Sequence, residues 1–462
     1  MMNVWRQITL STLPLERWRT GSAFYRLVGL FDRWRQGSWL LRWAELIGAW
    51  LVGLILLVAP FVPTSFVGIL LLAGAGYWGI LTLTEDGQPS VTPIHLLVLL
   101  YWGIATVAFA FSPVKEAAFS GWVELTLYLV LFALAARVLR SPQLTSWLIT
   151  LFLHVALVVS IYGVRQQYFG AAQLATWNDP NSPLAQDTRV YSFLGNPNLL
   201  AGYLFSAIAL SIAAVIVWRG WLPKALATFM VLIDSACLYF TDSRGGWLGM
   251  LALLLTGLLL LRYWWNDHLP RWARTWLLPL VFGGLAAMLF AAIVAVEPLR
   301  LRILSLFAGR EDSSNNFRIN VWQAVFDMIR DRPLIGIGPG NDAFNQIYPL
   351  YMRPNYTALS AYSIFFETAV EVGLIGLSCF LWLILTTITQ GVRQLERLRS
   401  GQNRQGLWII AAIAATIAML AQGIADTVWF RPPVQTLWWF MLAIIASQYQ
   451  SVNRPPTIDR QH

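Results

Sequence analysis

The sequence predicts an all-α protein: a polytopic membrane helix bundle of about 12 transmembrane helices, with a large extracytoplasmic loop between spans 9 and 10. Three observations carry that expectation. Of 462 residues, 57% are hydrophobic and only 12% charged, whereas an average soluble domain carries about 25% charged residues. Apolar runs of about twenty residues, enough to cross a hydrocarbon core, recur along the chain. Arginines concentrate between those runs, where they orient a membrane protein. Length alone would suggest two or three soluble domains; the apolar runs overrule it.

The net charge of +9 would suggest a nucleic-acid partner in a soluble protein. Here it reads as topology, and no nucleic acid is expected. Lys115 and Lys224 are the only lysines. Arginine's planar fork suits phosphate and carboxylate oxygens, although GC-rich coding bias explains the preference equally well. Cys237 and Cys379 lie inside apolar runs and read as small core residues. His95, His154, His268 and His462 are scattered, so nothing has metal-ligand spacing and no metal or cofactor is expected.

Residues 1–41 form a basic, aromatic cytoplasmic segment. Apolar positions from Phe24 to Trp39 recur at helical spacing among Arg26, Arg33 and Arg35, as an interfacial helix on anionic membrane lipids requires. The basic region is too long for a signal peptide. Spans 1–9 occupy residues 42–296. They are placed at Trp43–Phe61, Phe66–Leu83, Ile94–Phe111, Trp122–Ala136, Leu144–Tyr162, Asn198–Trp218, Leu222–Phe240, Gly245–Tyr263 and Trp276–Val296. A loop domain fills 297–361. Spans 10–12, at Tyr362–Thr389, Leu407–Ala425 and Val434–Ser447, fill 362–449, and 450–462 is a cytoplasmic tail.

The arginines and lysines of the short connections put both termini in the cytoplasm of a multi-pass inner (plasma) membrane protein and the long loop outside. Lys115, Arg165, Arg189, Arg244 and Arg431 fall on the outer side. Asn196-Pro197 is a cap followed by a first-turn proline, so it opens the sixth span. The outer connection before it also contains Trp177-Asn-Asp-Pro.

The loop carries seven arginines from Arg300 to Arg353. A loop this long between spans is usually functional. Phe317 to Met328 has amphipathic spacing, with Arg318 opening that helix. Gly336-Ile-Gly-Pro-Gly340 reads as a tight turn; without a following Lys-Ser/Thr or a preceding strand it is not a phosphate loop.

Ionisable residues in or at the ends of spans are costly and hence functional candidates: Glu124, Arg165, Asp234, Asp242, Arg244, Glu367, Glu371 and Asp426. Glu367 and Glu371 share a helix face, either pairing with loop arginines or supplying a proton acceptor. Arg244, among small residues, leaves room for an anion. With Arg318, other loop arginines and Arg165, it would line a cationic pocket for a lipid diphosphate or for bicarbonate. The plainer alternative pairs Arg244 with Asp242 or Asp234. No internal inverted repeat or pair of broken helices marks a midplane transport site. Oligomeric state is not legible.

Several motifs resemble the O-antigen ligase (Wzy_C-type) family: Asp242-Ser-Arg-Gly-Gly246, Arg318 with Trp322, Asp331-Arg-Pro-Leu-Ile-Gly-Ile-Gly-Pro-Gly340 and Glu371-Val-Gly-Leu-Ile-Gly376. Leu194-Gly-Asn-Pro-Asn-Leu-Leu200, Gly309-Arg-Glu-Asp-Ser-Ser-Asn-Asn-Phe-Arg-Ile-Asn320 and Ala358-Leu-Ser-Ala-Tyr-Ser363 resemble its IctB branch, named for a role in bicarbonate accumulation. The resemblance implies metal-independent transfer of a glycan from a polyprenyl diphosphate to an acceptor hydroxyl, with Arg244 and Arg318 holding the diphosphate. The family's base is a histidine nine residues before the glutamate of Glu-x-Gly-x-x-Gly; here that position is Tyr362. A tyrosine, with a usual pKa of about 10, is a poor base. Either Glu367 or another carboxylate substitutes, or the anion pocket serves without transfer chemistry.

Overall fold

Helix starts set much of the architecture, because a capping side chain or a proline stands where several apolar runs begin. The computed structural model describes residues 2–10, 27–85, 91–172, 174, 188–295, 297, 300, 301, 304 and 309–449. The helices are α1 Met2–Ile8, α2 Asp32–Gly37, α3 Ala44–Val58, α4 Thr64–Leu83, α5 Pro93–Ala110, α6 Lys115–Val138, α7 Pro142–Phe169 and α8 Pro197–Val217. They continue as α9 Trp221–Phe240, α10 Arg244–Trp265, α11 Arg271–Ala295, α12 Ser313–Asp331, α13 Asn341–Ile347, α14 Ile364–Ser400, α15 Gln405–Gln422 and α16 Pro432–Ser447. Among the described residues there is no strand. Thr92, Ser141, Asn196 and Ser243 accept backbone N–H groups at the starts of α5, α7, α8 and α10.

Ten of the described helices are long and apolar enough to cross a membrane. The ninth and twelfth expected spans fall on α11, of 25 residues, and α16, of 16. Three expectations need correction. The fourth span is not short: α6 starts at Lys115, because Lys115 and Glu116 occupy its first turn. The tenth span is longer and broken, as described below. The interfacial helix from Phe24 to Trp39 is not continuous where it is described. Gly29 sits at φ +75° and its N–H donates to Thr82 O at the end of α4, leaving only the six residues of α2. Residues 24–26, Trp177-Asn-Asp-Pro and the 450–462 tail lie outside the described residues.

Burial separates centre from rim. In the most apolar windows of α8 and α15, 78% of residues are buried, against 17% in α10, which turns its other face outward. The short α16 is enclosed almost throughout, packed on α6, α8 and α15. Cys237 and Cys379 are free, buried members of this core.

The loop forms a cap with a core of its own. Val321, Ala324, Val325 and Met328 of α12 pack with Phe344 and Tyr348 against Ala118 of α6 and Val370 of α14. Each buried valine, methionine or phenylalanine among them contributes about 1.5–3 kcal/mol relative to exposure. The connections bearing Lys115, Arg189, Arg244 and Arg431 lie on the cap's face of the bundle. On the other face Arg137 pairs with Glu45 and Glu85, and Arg399 pairs with Asp267.

α14 is interrupted at Gly373, which takes φ +70°, ψ −177°. The tight turn fills the gap. Ile337 N donates to Val370 O at 2.8 Å, Gly338 N to Glu371 O at 2.9 Å, and Leu374 N to Pro333 O at 2.7 Å. The carbonyls and N–H that the break releases are thus satisfied from the cap. A Cβ on Gly373 would stand 2.1 Å from Leu334 O, and one on Gly336 2.3 Å from Val370 O. Both glycines are required by close backbone approach as well as by positive φ.

Candidate functional site

Two helix starts place the first two guanidinium groups. Asp242 turns the chain at φ +50°, Ser243 accepts from Gly246 N at 3.1 Å, and Arg244 is the first residue of α10. In the cap, α12 begins at Ser313, capped by Asp312, which accepts from Asn315 N at 2.9 Å. Arg318 therefore stands in the second turn and does not open the helix, as the sequence had suggested. The Asp312 carboxylate also receives Arg244 Nη2 at 3.0 Å, and Arg244 Nη1 reaches Asn315 Oδ1 at 3.4 Å. One carboxylate thus fixes a cap helix and a bundle arginine together.

The floor comes from the connection after α15. Arg318 Nε donates to Ala425 O at 3.0 Å, and Nη1 to Ser314 Oγ at 2.6 Å. Asp426, 7% exposed, lies beside it and accepts from Thr427 N at 2.8 Å. Asn198 at the start of α8 hydrogen-bonds the Asp426 carboxyl and also accepts Arg189 Nη2 at 3.1 Å. Gln422 Nε2 donates to Asn198 O at 2.8 Å. Tyr362, at φ +50°, meets Phe317 of α12 edge-on at 5.5 Å, and Trp322 Nε1 donates to Ala361 O at 3.0 Å. Residues far apart in sequence meet here at the cap–bundle junction.

Burial dominates the electrostatics. It pushes the Arg318 guanidinium below its usual range, with Arg244 acting in the same sense and Asp426 opposing. It raises the Asp426 carboxyl, against the pull of Arg318, the Thr427 N–H and Arg189. Tyr362 is raised by burial and then by Asp426. Three guanidinium groups, Arg189, Arg244 and Arg318, stand with two carboxylates, Asp312 and Asp426. Guanidinium groups gathered in a partly dehydrated place suit an oxyanion.

The other candidates are held differently. Arg165 is exposed and lies over the rings of Tyr162 and Phe169 at 5.7 and 5.5 Å. Arg244 takes Asp312, and Asp234 is held by serines of neighbouring helices. Glu367 and Glu371 are both buried before the Gly373 break. Glu367 accepts from Ala361 N, tying the Tyr362 turn to α14. Glu371 lies behind it against the Gly340 N–H, with Glu124 of α6 nearby. Neither glutamate has a loop arginine as its partner among the described ion pairs.

Asp312, Asn315, Arg189 and Asn198 were not singled out for this site from sequence. Asp312 had a signal: Asp-Ser-Ser-Asn before an amphipathic run is a helix start. Asn198 and Arg189 had none, since their roles depend on contacts with Asp426 and Thr241. A separate cleft between α8, α10 and α15, lined by residues such as Ala209, Ile216, Leu253 and Ala414, is wholly apolar and offers an anion nothing.

No curated protein matches the chain. A protein-family model does: residues 229–381, which include Arg244, the cap with Arg318, and Tyr362, match O-Antigen ligase.

Proposed function

We propose that the cap–bundle junction holds the diphosphate of a polyprenyl-linked glycan and passes the glycan to an acceptor hydroxyl, on the outer face of an inner membrane that keeps both termini cytoplasmic. The observation that carries this is the meeting of Arg244 and Arg318, from bundle and cap, over Asp312 and Ala425, within a segment matching O-Antigen ligase. An interfacial site suits such a donor, whose tail lies in lipid and whose charge lies at the boundary. The diphosphate oxygens would compete with Asp312 for Arg244 and lie against Arg318.

In the transfer the acceptor oxygen bonds to the anomeric carbon, and the bond from that carbon to the diphosphate oxygen breaks. The electron pair leaves with the lipid diphosphate, stabilised by the two guanidinium groups, and the hydroxyl proton passes to a protein base. Asp426 is the carboxylate best placed for it, beside both Tyr362 and Arg318. Tyr362 orients the acceptor, while Glu367 and Glu371 support the turn that presents it. Purified protein given a polyprenyl-diphosphate glycan and an acceptor should form product, and Arg244→Ala and Arg318→Ala should each lower the rate by about 10²-fold or more, as loss of a preorganised charge contact does. Turnover unchanged in both variants would remove the proposal.

The tyrosine in the family histidine's place favours a second reading, in which the same pocket holds a small anion such as bicarbonate without transfer chemistry. That reading requires labelled bicarbonate flux into proteoliposomes above empty vesicles, lost in Arg244→Ala.

A further inference from the structure

A second polar site lies inside the bundle, away from the arginines. Asp234 is on α9, six residues before Phe240 and so about 9 Å below the cap-side end, and it is fully buried. Ser160 of α7 donates to its Oδ1 at 2.7 Å, and Ser211 of α8 donates to its Oδ2 at 3.5 Å. Tyr203, two turns before Ser211 on α8, is within electrostatic reach of the carboxylate. Its buried hydroxyl has no hydrogen-bond partner among the described residues. Cys237, nearly one turn beyond Asp234, is the other titratable group facing it. Among the described residues no arginine or lysine bears on Asp234.

A carboxylate in the hydrocarbon region without a cationic partner is costly and marks a functional position by default. Serine hydroxyls can donate to it but bring no charge. The donors on hand are two carboxylate oxygens, two serine oxygens and a phenol oxygen contributed by three helices. An all-oxygen set selects hard cations, and a single carboxylate balances a single positive charge. We propose that Asp234, Ser160, Ser211 and Tyr203 form a binding site for a monovalent cation, a sodium ion or a proton, within the α7–α9 layer. The idle Tyr203 hydroxyl is the ligand the protein itself leaves unused. This site does not depend on the glycan-transfer reading.

The test compares full-length wild type, Asp234→Asn and Tyr203→Phe in lipid nanodiscs. Thermal unfolding is followed against sodium chloride, with choline chloride holding ionic strength constant. A sodium site predicts stabilisation of the wild type, loss of that response in Asp234→Asn, and a midpoint sodium concentration about tenfold higher in Tyr203→Phe, equivalent to one lost ligand of about 1.4 kcal/mol. A proton site predicts no sodium response, with a carboxylic-acid infrared band that rises and falls with pH, is absent in Asp234→Asn and is displaced in Tyr203→Phe. Identical sodium responses in all three proteins, with no titrating band, would overturn the proposal. Tyr203→Phe breaks no hydrogen bond among the described residues, so it decides the matter even if Asp234→Asn fails to fold.

Discussion

At Arg318 one side chain joins cap to bundle: Nε is spent on Ala425 O and Nη1 on Ser314 Oγ, and the planar fork is needed for both at once. Lysine keeps the charge but not that geometry. Arg318→Lys should weaken binding of a diphosphate-bearing lipid by about 1.5–3 kcal/mol, the usual worth of a charge-assisted hydrogen bond, as measured by calorimetry in nanodiscs. Asp426 gives a pH prediction. Burial raises its carboxyl, so its contribution to folding is present below the ordinary aspartate value of about 3.9 and is lost as pH rises through the raised value. A transfer step that needs the ionised form runs the opposite way. Its rate should fall as pH drops through a limb displaced above that ordinary value, and Asp426→Asn should abolish both limb and turnover. A pH–rate profile unchanged in Asp426→Asn would assign the base elsewhere.

The element that governs the cap's position is α14, whose 37 residues would span about 55 Å if unbroken. Its interruption converts a plain span into a docking strip: the tight turn closes onto the freed backbone of Val370, Glu371 and Leu374. Gly373→Ala meets the Leu334 carbonyl and a positive φ together. It should cost at least about 1–3 kcal/mol from backbone strain alone, read as a lower unfolding midpoint and faster proteolysis within the cap. Gly283→Ala in α11, where a Cβ meets nothing within 4 Å, is the control and should neither lower the midpoint nor speed proteolysis, since alanine favours a helix. The sequence showed a glycine turn and a Glu-x-Gly-x-x-Gly motif separately. It gave no sign that one fills the other, because each segment's periodicity is locally ordinary.

For the molecule as a whole, the connections divide between two faces, with cap, Arg189, Arg244 and Arg431 on one and Arg137, Arg399 and Asp267 on the other. With both native cysteines buried, labelling by a membrane-impermeant thiol reagent gives a quiet background. Leu350→Cys, in the cap at a position 76% exposed, should label in intact spheroplasts. Gln402→Cys, in the turn between α14 and α15 on the opposite face, should label only after permeabilisation. The reverse pattern would turn the protein over and place the arginines in the cytoplasm.

Sequence alone determined the membrane class, most span positions, the cap at Asn196, and the weight of arginine around the loop. Each of these follows from local chemistry: apolar length against bilayer thickness, and short polar side chains beside unpaired N–H groups. Only the tertiary structure decided which charges meet. Arg244 reached Asp312 of the cap and not Asp234, Asp426 came between Arg318 and Tyr362, Arg165 stayed apart on aromatic rings, and Asp234 was left among serines. Partners from 23 to more than 100 residues apart carry no periodic signal along the chain, and packing of helix on helix and of the cap onto the bundle is what selects them.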